Sequence, residues 1–145
     1  MIRTEMRIGA SAEDVFDVLA DGWSYASWVV GAAHIRQVDS GWPAEGARVH
    51  HSIGPWPLQV QDVTRVLDVV HGRLLDLEAR AWPVGTARVR ISLTPAGPAE
   101  TDVLMEEEIT AGPGRLIPTV VQGALLRPRN VEALKRLADI ARGRR

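Results

Sequence analysis

Hydrophobic and polar residues alternate one by one at the start of the chain. Ile2, Thr4, Met6 and Ile8 fall on one side and Arg3, Glu5 and Arg7 on the other, which predicts a half-buried strand over 1–8. The period then lengthens. Ser11 is placed to cap a helix, with Asp14 in its acidic first turn. Val15, Phe16, Val18 and Leu19 give that helix one apolar face before Asp21-Gly22 ends it, and a second short helical stretch over 24–29 runs into Gly31. From there a period of two holds for about 80 residues, with strands expected near 32–39, 47–53, 58–70, 73–82, 86–95 and 101–110. The breaks carry turn chemistry: Gly41-Trp42-Pro43, Gly54-Pro55-Trp56-Pro57, His71-Gly72, Pro83-Val84-Gly85 and Pro95-Ala96-Gly97-Pro98.

Two of these strands alternate cleanly. Leu75, Leu77, Ala79 and Ala81 oppose Asp76, Glu78 and Arg80, while Ala87, Val89, Ile91 and Leu93 oppose Arg88, Arg90 and Ser92. Such alternation predicts an antiparallel sheet with one wet and one covered face. The 58–70 segment changes phase, from Leu58 and Val60 to Val63, Leu67 and Val69, which predicts a bulge or strong bend. From Ile117 onward apolar residues recur at Val120, Val121, Ala124, Leu125, Val131, Leu134, Ala138 and Ala141, the spacing of an amphipathic helix that Gly143 would stop. Pro128 falls inside this pattern and is expected to kink or split the helix. That would leave a mobile gating part over 117–126 and an anchored part over 130–141, with Arg129, Glu132, Lys135 and Arg136 in water.

The order of elements gives the architecture. An α+β fold is expected: a curved seven-stranded antiparallel sheet wrapped around one long C-terminal helix, with two short helices after the first strand. One helix cannot fill the concave side of such a sheet, so an apolar cavity beneath it is the expected product.

Composition narrows the function classes. The 145 residues suit one domain, and 46% hydrophobic with 24% charged residues excludes wholesale disorder. A net charge of −1 and scattered arginines argue against a nucleic-acid partner; Arg142, Arg144 and Arg145 read as a solvated tail. Lys135 is the only lysine among 17 basic residues, a skew that points to a GC-rich bacterial genome. The chain has no cysteine, hence no disulfide or thiolate chemistry. No apolar run approaches the ~20 residues of a membrane span, and no signal peptide opens the chain, so a cytoplasmic protein without stable membrane insertion is expected. Dinucleotide, phosphate-loop and G-x-S-x-G signatures are missing, so no cofactor is implied. His50 and His51 are adjacent on a strand and point to opposite faces, which argues against a metal held jointly.

Two titratable residues share parity with apolar neighbours. Glu107 follows Val103 and Met105, and His51 follows Ala47 and Val49. If those faces point inward, both enter the cavity wall, where desolvation would suit a general acid or base. The plainer alternatives are an arginine partner for Glu107 and a backbone partner for His51. Five tryptophans against one Phe and one Tyr are unusual. Trp28, Trp56 and Trp82 are candidates for a pocket that takes a ring-bearing ligand, and turn-capping or core packing is the alternative for each.

The segment "ASAEDVFDVLADGWSYASWVVGA" resembles the opening of the START-like, helix-grip (SRPBCC) superfamily. The stretch "TDVLMEEEITAGPGRLIPTVVQGALLRPRNVEALKRLADIARG" resembles its last strand, Gly-Pro junction and closing helix with an Arg-Asn pair, here Arg129-Asn130. Within it, the chain resembles most the bacterial polyketide cyclase/dehydrase and lipid-transport-like proteins. The resemblance spans essentially the whole chain, as one START-like domain over 1–145, and implies the fold more than the function. It implies a small hydrophobic ligand, such as a lipid, polyketide or other ring compound. The inner wall is expected to include Leu77, Ala79, Val89, Ile91, Met105, Val121 and Leu125. The alternative is a polyketide cyclase or dehydratase using His51 and Glu107 as acid/base groups. The sequence leaves the choice open, as it does between monomer and homodimer.

Overall fold

The structure, a computed structural model, describes residues 1–30, 32–53, 60–81 and 85–143. The chain opens with strand β1 (Ile2–Ile8), whose Ile2, Thr4 and Ile8 are buried while Arg3, Glu5 and Arg7 stay out. Helix α1 (Ala12–Ala20) starts where the Ser11 hydroxyl accepts from the Asp14 N–H, 3.1 Å, and it buries Val15, Phe16, Val18 and Leu19. A 3-10 turn (Gly22–Ser24) leads into α2 (Tyr25–Trp28), one turn long, with Tyr25 and Trp28 buried three residues apart on one face.

Six strands follow: β2 (Ala32–Val38), β3 (Arg48–Ile53), β4 (Val60–Val70), β5 (Leu74–Ala81), β6 (Gly85–Gly97) and β7 (Glu100–Ala111). A 3-10 turn (Pro113–Leu116) and helix α3 (Thr119–Gly143) end the described chain. The seven strands form one antiparallel sheet in the order β1-β7-β6-β5-β4-β3-β2. Consecutive strands from β2 to β7 are neighbours, and β1 closes onto β7. Strand β6 runs through Pro95, where a turn was expected. The pairing with β5 has already ended at Leu74↔Ser92, so the imide nitrogen of Pro95 deprives no ladder on that side.

The core lies between the concave face of the sheet and the helices. Leu75, Leu77, Ile91, Val103 and Met105 rise from the sheet to meet Leu134, Leu137, Ala138 and Ala141 of α3, with Phe16 and Leu19 of α1 beside them. No helix among the described residues is long and apolar enough to cross a membrane.

Two sequence expectations change here. The bulge in β4 exists, but it falls between Val66 and Asp68, so the inward residues before it are Asp62, Thr64 and Val66 rather than Val63. Helix α3 is not split at Pro128; it is one continuous helix. Pro128 and Ala124 are both exposed, and solvent can hydrogen-bond the Ala124 carbonyl that proline leaves without its helical donor.

Candidate functional site

A cavity of about 120 Å³ remains between the sheet, α2 with the segment after it, and the middle of α3. The sheet pairing explains its floor. Ile2, Glu107, Val89, Leu77 and Val66 form one cross-strand row, each directly opposite the next, and all point to the concave side. A carboxylate therefore interrupts a row of apolar side chains. Ala79 and Met105 complete the floor, Trp28, Val29 and Val30 make one wall, and Ala133 and Asn130 of α3 form the roof.

Glu107 is 3% exposed, and its Oε2 accepts from the Arg129 Nη2, 3.2 Å away. Burial would strongly disfavour a bare carboxylate, so the guanidinium is part of what lets it stay there. Arg129 was expected in water. It does reach water, its side chain 42% exposed, but its head also lines the cavity and bonds Glu107. A long stem lets such a residue start on the wet side of a helix and end elsewhere.

On the far wall, His51 is buried and joins a chain of hydrogen bonds. Its Nε2 lies 2.9 Å from the Thr64 hydroxyl, which lies 2.8 Å from the Tyr25 hydroxyl. The Tyr25 ring sits between its neighbours, 5.3 Å from the His51 ring and 5.6 Å from that of Trp28. Burial pushes the Tyr25 phenol up to about 12, so it stays protonated. Burial also lowers the His51 imidazole below its ordinary value, against the smaller opposing pulls of the Asp62 carboxylate and the Ser52 backbone. Three cavity-lining residues each keep one buried polar atom with no partner among the described residues: His51 Nδ1, Glu107 Oε1 and Asn130 Nδ2.

The lowered imidazole carries a prediction. The unfolded chain, with an ordinary histidine near 6.5, takes up a proton before the folded one does. The stability His51 contributes is thus full above about pH 6.5 and is lost as pH falls through the folded value. Urea midpoints should fall from pH 7 towards pH 5, and His51→Gln should flatten that slope. An unchanged slope in the variant would refute the assignment.

The expected wall residues separate into groups. Trp28, His51, Leu77, Ala79, Val89, Met105 and Glu107 all line the cavity. Ile91 does not; it is fully buried two residues along β6, in the packed core where α1 lies against β6 and β7. Val121 and Leu125 do not either, being 45% and 63% exposed. The inward stripe of α3 runs through Gly123, Asn130, Leu134, Leu137 and Ala141. At about 100° per residue, positions 121 and 125 sit about 160° from Gly123 and face away. At Gly123 an added Cβ would meet the Arg127 Nη1 at 2.7 Å and come into ordinary contact with Ile2 Cδ1 of β1 at 3.6 Å.

Trp56 and Trp82 lie outside the described residues. Trp42 ties its turn to α1, its indole N–H donating to the Leu19 carbonyl at 3.1 Å, and Trp23 is exposed. His50 points away from the cavity, where its Nε2 is 3.4 Å from Asp39. Tyr25, Thr64, Arg80, Arg129 and Asn130 complete the site without having been singled out for it. Arg129-Asn130 is visible in the sequence as a motif of the resemblance, and the spacing of Tyr25 and Trp28, one helical turn apart, is a signal that could have found Tyr25.

The fold recurs in solved structures. The Zhui aromatase/cyclase from Streptomyces sp. R1128 is similar with a TM-score of 0.70 and 16% identity, over 99% of this chain and 93% of that one. Ara h 8.0201 gives 0.71 and 11% over 97% and 96%, and protein NE0264 from Nitrosomonas europaea gives 0.72 and 13% over 99% and 96%. At these identities the likeness is one of fold. No curated protein matches the sequence. A family model described as polyketide cyclase / dehydrase and lipid transport matches residues 1–142. The chain belongs to that family.

Proposed function

We propose that this protein binds a small, mostly apolar ring compound in the cavity under α3. The observation that carries the reading is a largely apolar wall on which a few buried polar groups converge, the usual make-up of a small-molecule site. Each buried polar atom without a partner costs about 1–3 kcal/mol, and a ligand that supplied partners would recover part of that. Native mass spectrometry of gently purified protein, with titration of tryptophan fluorescence, tests it. Trp28 lines the cavity, so ring compounds should give a saturable change that shrinks in Trp28→Phe. No saturable response from any apolar ring compound or acyl chain would refute the reading.

A second reading is an enzyme that closes and dehydrates polyketide rings. It is favoured by one observation: His51 and Glu107, both buried, line the same cavity. Such chemistry needs a proton removed next to one carbonyl and a proton delivered to another, and a neutral imidazole in a desolvated site is suited to either transfer. Loss of ring closure on a poly-β-ketone in His51→Gln at saturating ligand, beyond any loss of affinity, would distinguish catalysis from carriage.

A further inference from the structure

The protons of the buried relay can be counted. Tyr25, Thr64 and His51 bring one hydroxyl hydrogen, another hydroxyl hydrogen and one ring hydrogen to two hydrogen bonds. If the Tyr25 O–H donates to Thr64 and the Thr64 O–H donates to His51 Nε2, both hydroxyl hydrogens are used. The ring hydrogen then sits on Nδ1. If instead Nε2 carries the hydrogen and donates to Thr64, one hydroxyl hydrogen is stranded. Either Thr64 donates to Tyr25, whose own hydrogen has no second acceptor among the described residues, or Tyr25 donates and the Thr64 hydrogen has none. The Nδ1 lone pair would be stranded as well. The first arrangement strands one group, the second two, and all are buried. The lowered affinity of His51 for a second proton keeps the ring neutral at pH 7, so the tautomer matters.

The remaining group is then the Nδ1–H of a residue that lines the cavity; the Ser52 backbone lies near the ring but makes no hydrogen bond of good geometry to it. Across the floor, Glu107 Oε1 is an acceptor without a partner. The free space of about 120 Å³ is close to the roughly 150 Å³ of an apolar cavity that takes benzene. That is room for one ring.

We propose that the Tyr25–Thr64 relay fixes His51 in its Nδ1–H form, so that the cavity selects a single-ring ligand bearing an acceptor oxygen over the same ring without one. The ligand half rests on the binding reading above; the relay half does not. A carbonyl oxygen on the ring meets His51, and a hydroxyl on the same ring would meet Glu107. An unoxygenated ring or a plain acyl chain satisfies neither.

Two measurements test the two halves separately. In ¹⁵N-histidine spectra of the free protein at neutral pH, His51 is expected with a protonated Nδ1 and a bare Nε2. A protonated Nε2 overturns the relay. Acetophenone and the similarly shaped isopropylbenzene are then titrated by calorimetry. Acetophenone should bind about tenfold more tightly, the worth of one hydrogen bond. In Thr64→Val the ratio of the two affinities should fall towards one, whatever the change in affinity common to both rings. Should Thr64→Val not fold, Tyr25→Phe removes the first donor of the same relay. Equal affinity for the two rings, or a preference unchanged in the variant, overturns the selection. If neither ring binds, the ligand half falls with the binding reading, and the tautomer spectrum still decides the relay.

Discussion

Replacing Arg129 by leucine is expected to destabilise the protein by about 3 kcal/mol, the lower end for breaking a buried ion pair because the arginine is itself half-exposed. The loss comes from what is left behind. Glu107 stands in a row between Ile2 and Val89, its Oε2 bonded to Arg129 and its Oε1 to nothing among the described residues. Without the guanidinium, a carboxylate remains on an apolar floor with no counter-charge. Glu107→Gln should cost less, because the arginine it frees can swing into solvent. The double variant Arg129→Leu/Glu107→Gln should be more stable than Arg129→Leu alone, since it no longer buries a bare charge. Urea midpoints at constant m-value measure all three. Independent, additive losses would mean that the pair contributes nothing as a pair.

Gly85→Ala is the second large effect, expected to exceed about 3 kcal/mol. The residue opens β6 with φ +127°, a conformation that side chains rarely allow. An added Cβ would also collide with the Ala111 carbonyl oxygen and lie 2.8 Å from Gly112 Cα. Those are backbone atoms at the end of β7 and just after it, and no rotamer change moves them. Gly72→Ala is the control: its φ is +75°, but nothing stands within 4 Å. It should show the conformational cost alone, about 1–2 kcal/mol. Thermal unfolding of the two variants separates strain from collision, and equal losses would show that the collision is relieved.

The sequence made most of this fold legible where burial and hydrophobicity agree. Strands β1, β5 and β6 alternate in sequence because one face meets the core and the other carries charged residues, Asp76 among them buried in its ion pair with Arg88, and the same parity put His51 and Glu107 on the inner face. It failed where the inner face is polar. In β4 the inward residues are Asp62, Thr64 and Val66, so a reading that follows apolar residues moves to Val63 and sees the phase change too early. The first half of α3 failed for a related reason. Its inward positions are Gly123 and Asn130, which carry no hydrophobic signal, while Val121 and Leu125 carry a strong one and face out. The partnership of Arg129 with Glu107 spans 22 residues of sequence and is set by how α3 lies over the sheet. No local pattern encodes that.

The sheet order also has a consequence in time. Each strand from β3 to β7 pairs with the one before it in the chain. Strand β1 stands outside that succession, because among the described residues its one partner is β7, with Ile2 opposite Glu107 and Ile8 opposite Thr101. A chain emerging from the ribosome therefore holds β1 unpaired until almost everything after it has been synthesised. Closing so long a loop is entropically costly and slow relative to the hairpins. The polar spacing of Arg3, Glu5 and Arg7 then has work to do before folding ends, keeping a waiting strand from pairing with another chain.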